Sequence, residues 1–132
     1  MFNPKVIFLL IAITAVVLLA GCTGASKEQA AAAAVQAYWQ AMVDRDLNKV
    51  VALSCSTWEP QARTEYNSFS AVTLKLDNVS CKTTGRSGQE MQVTCSGSII
   101  ANYGAEDLTI DIANRTYRVV NEGGEWRMCG YQ

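Results

Sequence analysis

The chain contains no histidine among its 132 residues. That absence excludes Ser/His/Asp and Cys/His catalysis, histidine metal sites and histidine pH switching. Charge of one sign is also lacking: 11 Lys+Arg stand against 12 Asp+Glu, a net charge of -1. A nucleic-acid partner, which calls for a basic excess or stripe, is therefore not expected. No two of the five cysteines have the C-x-x-C spacing of a redox or zinc motif. No metal or other cofactor is expected. There is no internal repeat, no low-complexity linker and no charge run marking a second domain. Only one long apolar run exists, Val6 to Ala20, 15 residues interrupted by Thr14 alone. It falls short of the about 20 residues that a spanning helix needs.

That run follows a start carrying one charge, Lys5, and leads into Leu19-Ala20-Gly21-Cys22. A short apolar segment in this setting reads as a secretory signal. The four residues resemble the lipobox of bacterial lipoproteins at every position. The resemblance implies a diacylglyceryl thioether on Cys22 and signal cleavage between Gly21 and Cys22. The new α-amino group is a further acylation point, since two or more chains anchor stably and one does not. The lipid bilayer, reached through Cys22, is thus the first expected partner. An uncleaved short anchor is the alternative. Either way, the remaining chain lies outside the cytoplasm. The organisation expected is a signal peptide over 1–21, a lipidated cysteine and tether over 22–26, and one domain over 27–132. The tether, Thr23-Gly24-Ala25-Ser26, reaches only ~14 Å fully extended, which keeps the domain near the bilayer.

With Cys22 set aside, Cys55, Cys81, Cys95 and Cys129 remain. Four cysteines in an exported domain read as two disulfides with three connectivities open. The strand pattern below favours Cys81–Cys95 and Cys55–Cys129.

Ser26-Lys27-Glu28-Gln29 forms a capping box. A long helix is expected from Lys27 to Asp44, with Val35, Tyr38 and Met42 on its apolar stripe. Asp46 caps a short helix, Leu47–Ser54, and Pro60–Phe69 starts a third. The period then becomes two. Val72–Asp77 alternates as a strand, and a bulge at Asp77-Asn78 restores the parity of Val79 and Cys81. Thr83–Gln89 reads as a hairpin loop. Met91, Val93, Cys95, Gly97, Ile99 and Ala101 share one face of the next strand. With the bulge, Cys81 and Cys95 share a face. Leu108, Ile110 and Ile112 mark a third strand, Arg115–Asn121 a fourth and Glu125–Tyr131 a fifth. A two-residue turn at Gly123-Gly124 sets Trp126 opposite Asn121 and Met128 opposite Val119.

Helices followed by an antiparallel meander give an α+β fold. The order of Tyr38-Trp39, Asp44-Arg45-Asp46-Leu47, Tyr117-Arg118-Val119-Val120 and Gly124-Glu125-Trp126-Arg127 resembles the nuclear transport factor 2-like, or cystatin-like, superfamily. Among its members, the chain resembles small lipoproteins ending in Trp-Arg-x-Cys-Gly. The resemblance implies a curved sheet of about five strands around the first helix, with a cone-shaped pocket. It implies Tyr38, Met42, Ile99, Tyr103, Trp126 and Met128 as wall residues for a small apolar ligand. Family members often dimerise through the open sheet face, so the resemblance leaves a homodimer open. An isomerase-like or hydrolase-like reading would use Glu59 as base and Tyr38 as donor. Glu59 equally suits a helix start, where a negative charge meets the dipole. No catalytic set is complete, and the expectation is a non-enzymatic module binding a small apolar ligand or an envelope protein. A purely structural envelope protein is the blandest alternative.

Overall fold

The computed structural model describes residues 26–132, so the expected signal segment and Cys22 lie outside the described residues. Helix α1, Lys27–Val43, begins at the expected capping box: Ser26 Oγ accepts from the Gln29 amide, and Gln29 Oε1 accepts from the Ser26 amide. Ala31, Ala32 and Ala34 are buried, so the alanine run lets the sheet approach closely. Helix α2, Leu47–Ala52, is capped by Asp46 Oδ1, which accepts from the Lys49 amide. It ends two residues earlier than expected because Ser54 leaves the helix to form a parallel bridge to Met128. Helix α3 spans Glu59–Ser68, with Pro60 in its first turn.

Five strands follow: β1 Thr73–Ser87, β2 Glu90–Asn102, β3 Asp107–Asp111, β4 Thr116–Glu122 and β5 Glu125–Tyr131. The three helices pack on this open antiparallel sheet, an α+β architecture, with α1 lying against β1, β2, β4 and β5. The expected loop over Thr83–Gln89 is largely strand. β1 continues to Ser87 because Arg86 and Ser87 stay in register with Met91 and Glu90, leaving the turn to Gly88-Gln89.

The β1 register shifts between Asp77 and Ser80, where the parity break places a bulge. Asn78 there takes φ 51°, and Gly97 opposite takes φ 87°. A Cβ on Gly97 would lie 2.5 Å from the Asp77 and Asn78 carbonyl oxygens, so only glycine fits. Beyond the bulge, Cys81 pairs directly with Cys95.

β3 and β4 pair with the same edge of β2. Ser98 faces Asp111 and Thr94 faces Thr116, so four steps on β2 oppose five on the other side. The two are one antiparallel strand broken at Ile112–Arg115 by an extra residue. The β4–β5 turn has the expected register: Asn121 faces Trp126 and Val119 faces Met128.

Val35, Tyr38, Trp39, Met42, Met91, Val93, Ile99, Tyr117, Val119 and Met128 are fully buried between α1 and the sheet. Each such aliphatic side chain contributes roughly 1.5–3 kcal/mol by leaving water.

Candidate functional site

Three of the six expected wall residues, Met42, Ile99 and Met128, are core side chains without access to solvent. Tyr38 is buried as well. Tyr103 is 55% exposed on the β2–β3 connection, and so cannot line an interior pocket. Trp126 borders a surface groove with Lys27, Arg86, Gln89 and Asn121. The six do not converge on one chamber: the rows that would line a cone pack against α1 and fill it.

The polar chemistry lies at one end of that interior. Glu65 on α3 accepts from both sides, with Tyr38 OH at 2.7 Å on Oε2 and Tyr131 OH at 2.6 Å on Oε1. Glu65 follows Trp58 and Ala62 on the helix face turned inward. An aromatic chain links the cluster: Tyr38–Trp39, Trp39–Tyr117, Tyr117–Tyr131 and Tyr131–Trp58, all edge-on with centroids 5.5–6.4 Å apart. The Arg115 guanidinium lies 4.4 Å above the Tyr131 ring. On the Tyr131 phenol its charge acts in the direction opposite to that of Glu65.

Burial pushes the Tyr38 phenol far above its ordinary range, and the Glu65 charge adds to this. Burial and then the Glu65 hydrogen bond raise Tyr131 in the same direction, and burial raises Tyr117. All three phenols are therefore neutral, and Tyr38 and Tyr131 donate to Glu65. Glu65 thus serves as the shared acceptor of two phenols from different elements. The buried Trp39 Nε1, Trp58 Nε1 and Tyr117 OH carry no acceptor of good geometry.

Glu59, the expected base, pairs instead with Arg63 one turn on, at 2.9 Å and 39% exposed. The acid that meets Tyr38 is Glu65. Its sequence signal is positional, three residues after Ala62 on an inward face that also carries Trp58. Arg45 and Asp46 form a helix corner, where Arg45 donates to the Ser70 and Val72 carbonyls. Arg118 makes a two-pronged pair with Glu90, and Arg127 meets Glu125.

The structure joins Cys55 to Cys129 and Cys81 to Cys95, with Cα separations of 5.2 and 4.0 Å. The first ties the α2–α3 connection to β5, where the Cys55 amide also donates to the Met128 carbonyl. The second borders a shallow groove of about 390 Å³ between α1 and β1, lined by Glu28, Ala32, Ala33, Gln36, Lys82 and Thr83. Among the described residues, no cluster of three or more Cys, Asp or Glu is placed to hold a metal ion. Also among them, no helix is long and apolar enough to cross a membrane.

No protein-family description and no curated protein sequence matches the chain. One solved structure is similar in fold: the helical cell shape determining protein Pgp2 from Campylobacter jejuni, with a TM-score of 0.51 and 10% identity. The likeness covers 76% of this chain and 38% of Pgp2, so the chain corresponds to well under half of that protein.

Proposed function

We propose that this chain is a lipid-anchored binding module of the bacterial cell envelope, with a nuclear transport factor 2-like domain that acts by surface recognition and not by catalysis. Cys22 carries the acyl anchor, and the short tether Thr23-Gly24-Ala25-Ser26 keeps the domain close to the bilayer. The observation that carries the non-catalytic reading is the filled interior, where Tyr38, Met42, Ile99 and Met128 are at most 1% exposed. Side chains fill the space between α1 and the sheet, which supports that reading. Two disulfides support an oxidising compartment. The fold shared with part of a cell-shape determining protein supports a place in the envelope.

Two measurements test the reading. Labelled palmitate supplied to expressing cells should enter the wild-type chain and not Cys22→Ala. Equal labelling of both removes the anchor. Native and denatured masses of the same sample should then reveal a retained ligand or a bare chain. A bare chain directs the search to protein partners. Turnover of enolisable ketones that is lost in Glu65→Gln or Glu59→Gln would replace the binding module with an enzyme.

A further inference from the structure

The two halves of the interrupted strand differ in their surroundings. β4 is paired on both sides, by β2 and β5. Among the described residues, β3 pairs with β2 alone, and the edge of Asp107–Asp111 facing away from β2 carries no strand. On the inner face of β3, Leu108 continues the row of Leu74 and Ala101, and Ile110 continues the row of Leu76 and Ile99. Leu74, Ala101 and Ile99 are buried, yet Leu108 is 53% exposed. Leu108 and Tyr103, at the same end of the sheet, are the large apolar side chains most open to water among the described residues. An open edge with an apolar inner face is a template for another strand.

The outer face of the same edge is acidic. Asp107 and Asp111 flank Thr109, and Glu106 precedes them. Asp107 accepts from Asn102 Nδ2, and Asp111 accepts from the Ala113 amide and Asn114 Nδ2. All three donors are neutral, and no salt bridge among the described residues uses either aspartate. A second copy docking antiparallel about Thr109 would set each Asp107 against an Asp111, a destabilising like-charge arrangement. The edge therefore disfavours itself and favours the opposite charge.

We infer that the free edge of β3 receives an extended basic segment of another envelope protein by strand addition. Alternation dictates its pattern. Residues beside Asp107 and Asp111 point to the outer face and are Lys or Arg. Those beside Leu108 and Ile110 point inward and are apolar. The pattern is basic–apolar–any–apolar–basic. This rests on the binding-module reading and names its partner.

The test uses the purified full-length acylated chain in nonionic detergent and fluorescent peptides read by anisotropy. The probe is acetyl-Ser-Lys-Val-Thr-Val-Lys-Ser-amide, with a version carrying Glu for both Lys and a scrambled version, Lys-Lys-Val-Val-Thr. The probe should bind at least roughly tenfold tighter than either control, a margin set by charge pairing and alternation together. Asp107→Lys and Leu108→Lys should each remove that preference while thermal unfolding stays cooperative. Hydrogen exchange on the unsubstituted chain provides a readout that needs no variant: the probe should slow amides within 107–111. Equal binding of probe and scramble, or protection confined to other strands, overturns the proposal. Self-association abolished by Leu108→Lys overturns it in favour of a second copy. A chain that binds no peptide yet retains another molecule in native mass spectrometry overturns the edge proposal and leaves the binding-module reading standing.

Discussion

Tyr38 and Tyr131 donate to the two oxygens of one carboxylate, that of Glu65. The arrangement joins α1, α3 and β5 at a single acceptor, inside an apolar surround where an unmet partner is costly. Tyr131→Phe leaves Glu65 with one donor and should cost about 1–2 kcal/mol. Tyr38→Phe should cost at least as much, because its phenol is the more deeply buried. Urea titration of both variants and their double measures the coupling. Strictly additive effects would mean that the shared carboxylate does not link the two phenols.

The same phenols give the fold an alkaline limit. Their folded pKa values are raised, so above the ordinary tyrosine range of about 10 the folded state holds protons that the unfolded chain releases. The contribution is complete below about pH 10 and is lost as pH rises further. Phenolate absorbance from Tyr38, Tyr117 and Tyr131 should appear together with loss of tertiary circular dichroism. Ionisation well before unfolding would contradict the buried placement.

The disulfides should differ in weight. Cys55–Cys129 closes a separation of 74 residues and Cys81–Cys95 one of 14. The loop-length dependence gives about 4 and about 3 kcal/mol respectively. Paired Cys→Ser variants compared by denaturant midpoint give the order, with the 55/129 pair the more costly. The opposite order would show that the cross-strand link supports native packing beyond its effect on the unfolded chain.

Gly97→Ala should prevent folding or cost more than about 3 kcal/mol, through positive φ and collision with the bulge carbonyls. Thermal unfolding of the variant is the check. Glu59→Gln, in contrast, removes a half-exposed i,i+4 pair and should move stability by no more than about 0.5 kcal/mol.

Much of this architecture is legible in residue order. The capping box at Ser26 and the stripe of Val35, Tyr38 and Met42 mark α1 because local bonding and period-3.6 burial act within one segment. Alternation located β1 and β2. Its break at Asp77-Asn78 also placed the bulge that brings Cys81 beside Cys95. Gly123-Gly124 set the last register through turn geometry alone. Glu65 was not legible. It is one acid in a helix of mostly polar residues, and its value comes from Tyr38, 27 residues earlier, and Tyr131, 66 residues later. No local pattern encodes such a meeting. Leu108 shows the converse: its parity matches a buried row, but burial also needs a covering element, and β3 lies beyond α1's reach. Tyr38, Met42, Ile99 and Met128 fill the interior for a related reason. Parity identifies which side chains face inward, whereas the volume between α1 and the sheet decides whether they enclose space or fill it.

The interruption at Ile112–Arg115 divides the sheet into regions of unequal resistance to opening. On one side, Met91 and Val93 of β2 lie between β1 and β4, under α1, with β5 and its disulfide beyond. On the other, β3 hangs from β2 by a single ladder. Local opening should follow that division. Amides of β3 should exchange with solvent through small fluctuations, while those of 90–94 and 116–120 exchange only when the whole domain unfolds. The protein should thus concentrate its cooperativity around Trp39 and Tyr117 and keep a pliable margin at Leu108, in one continuous sheet.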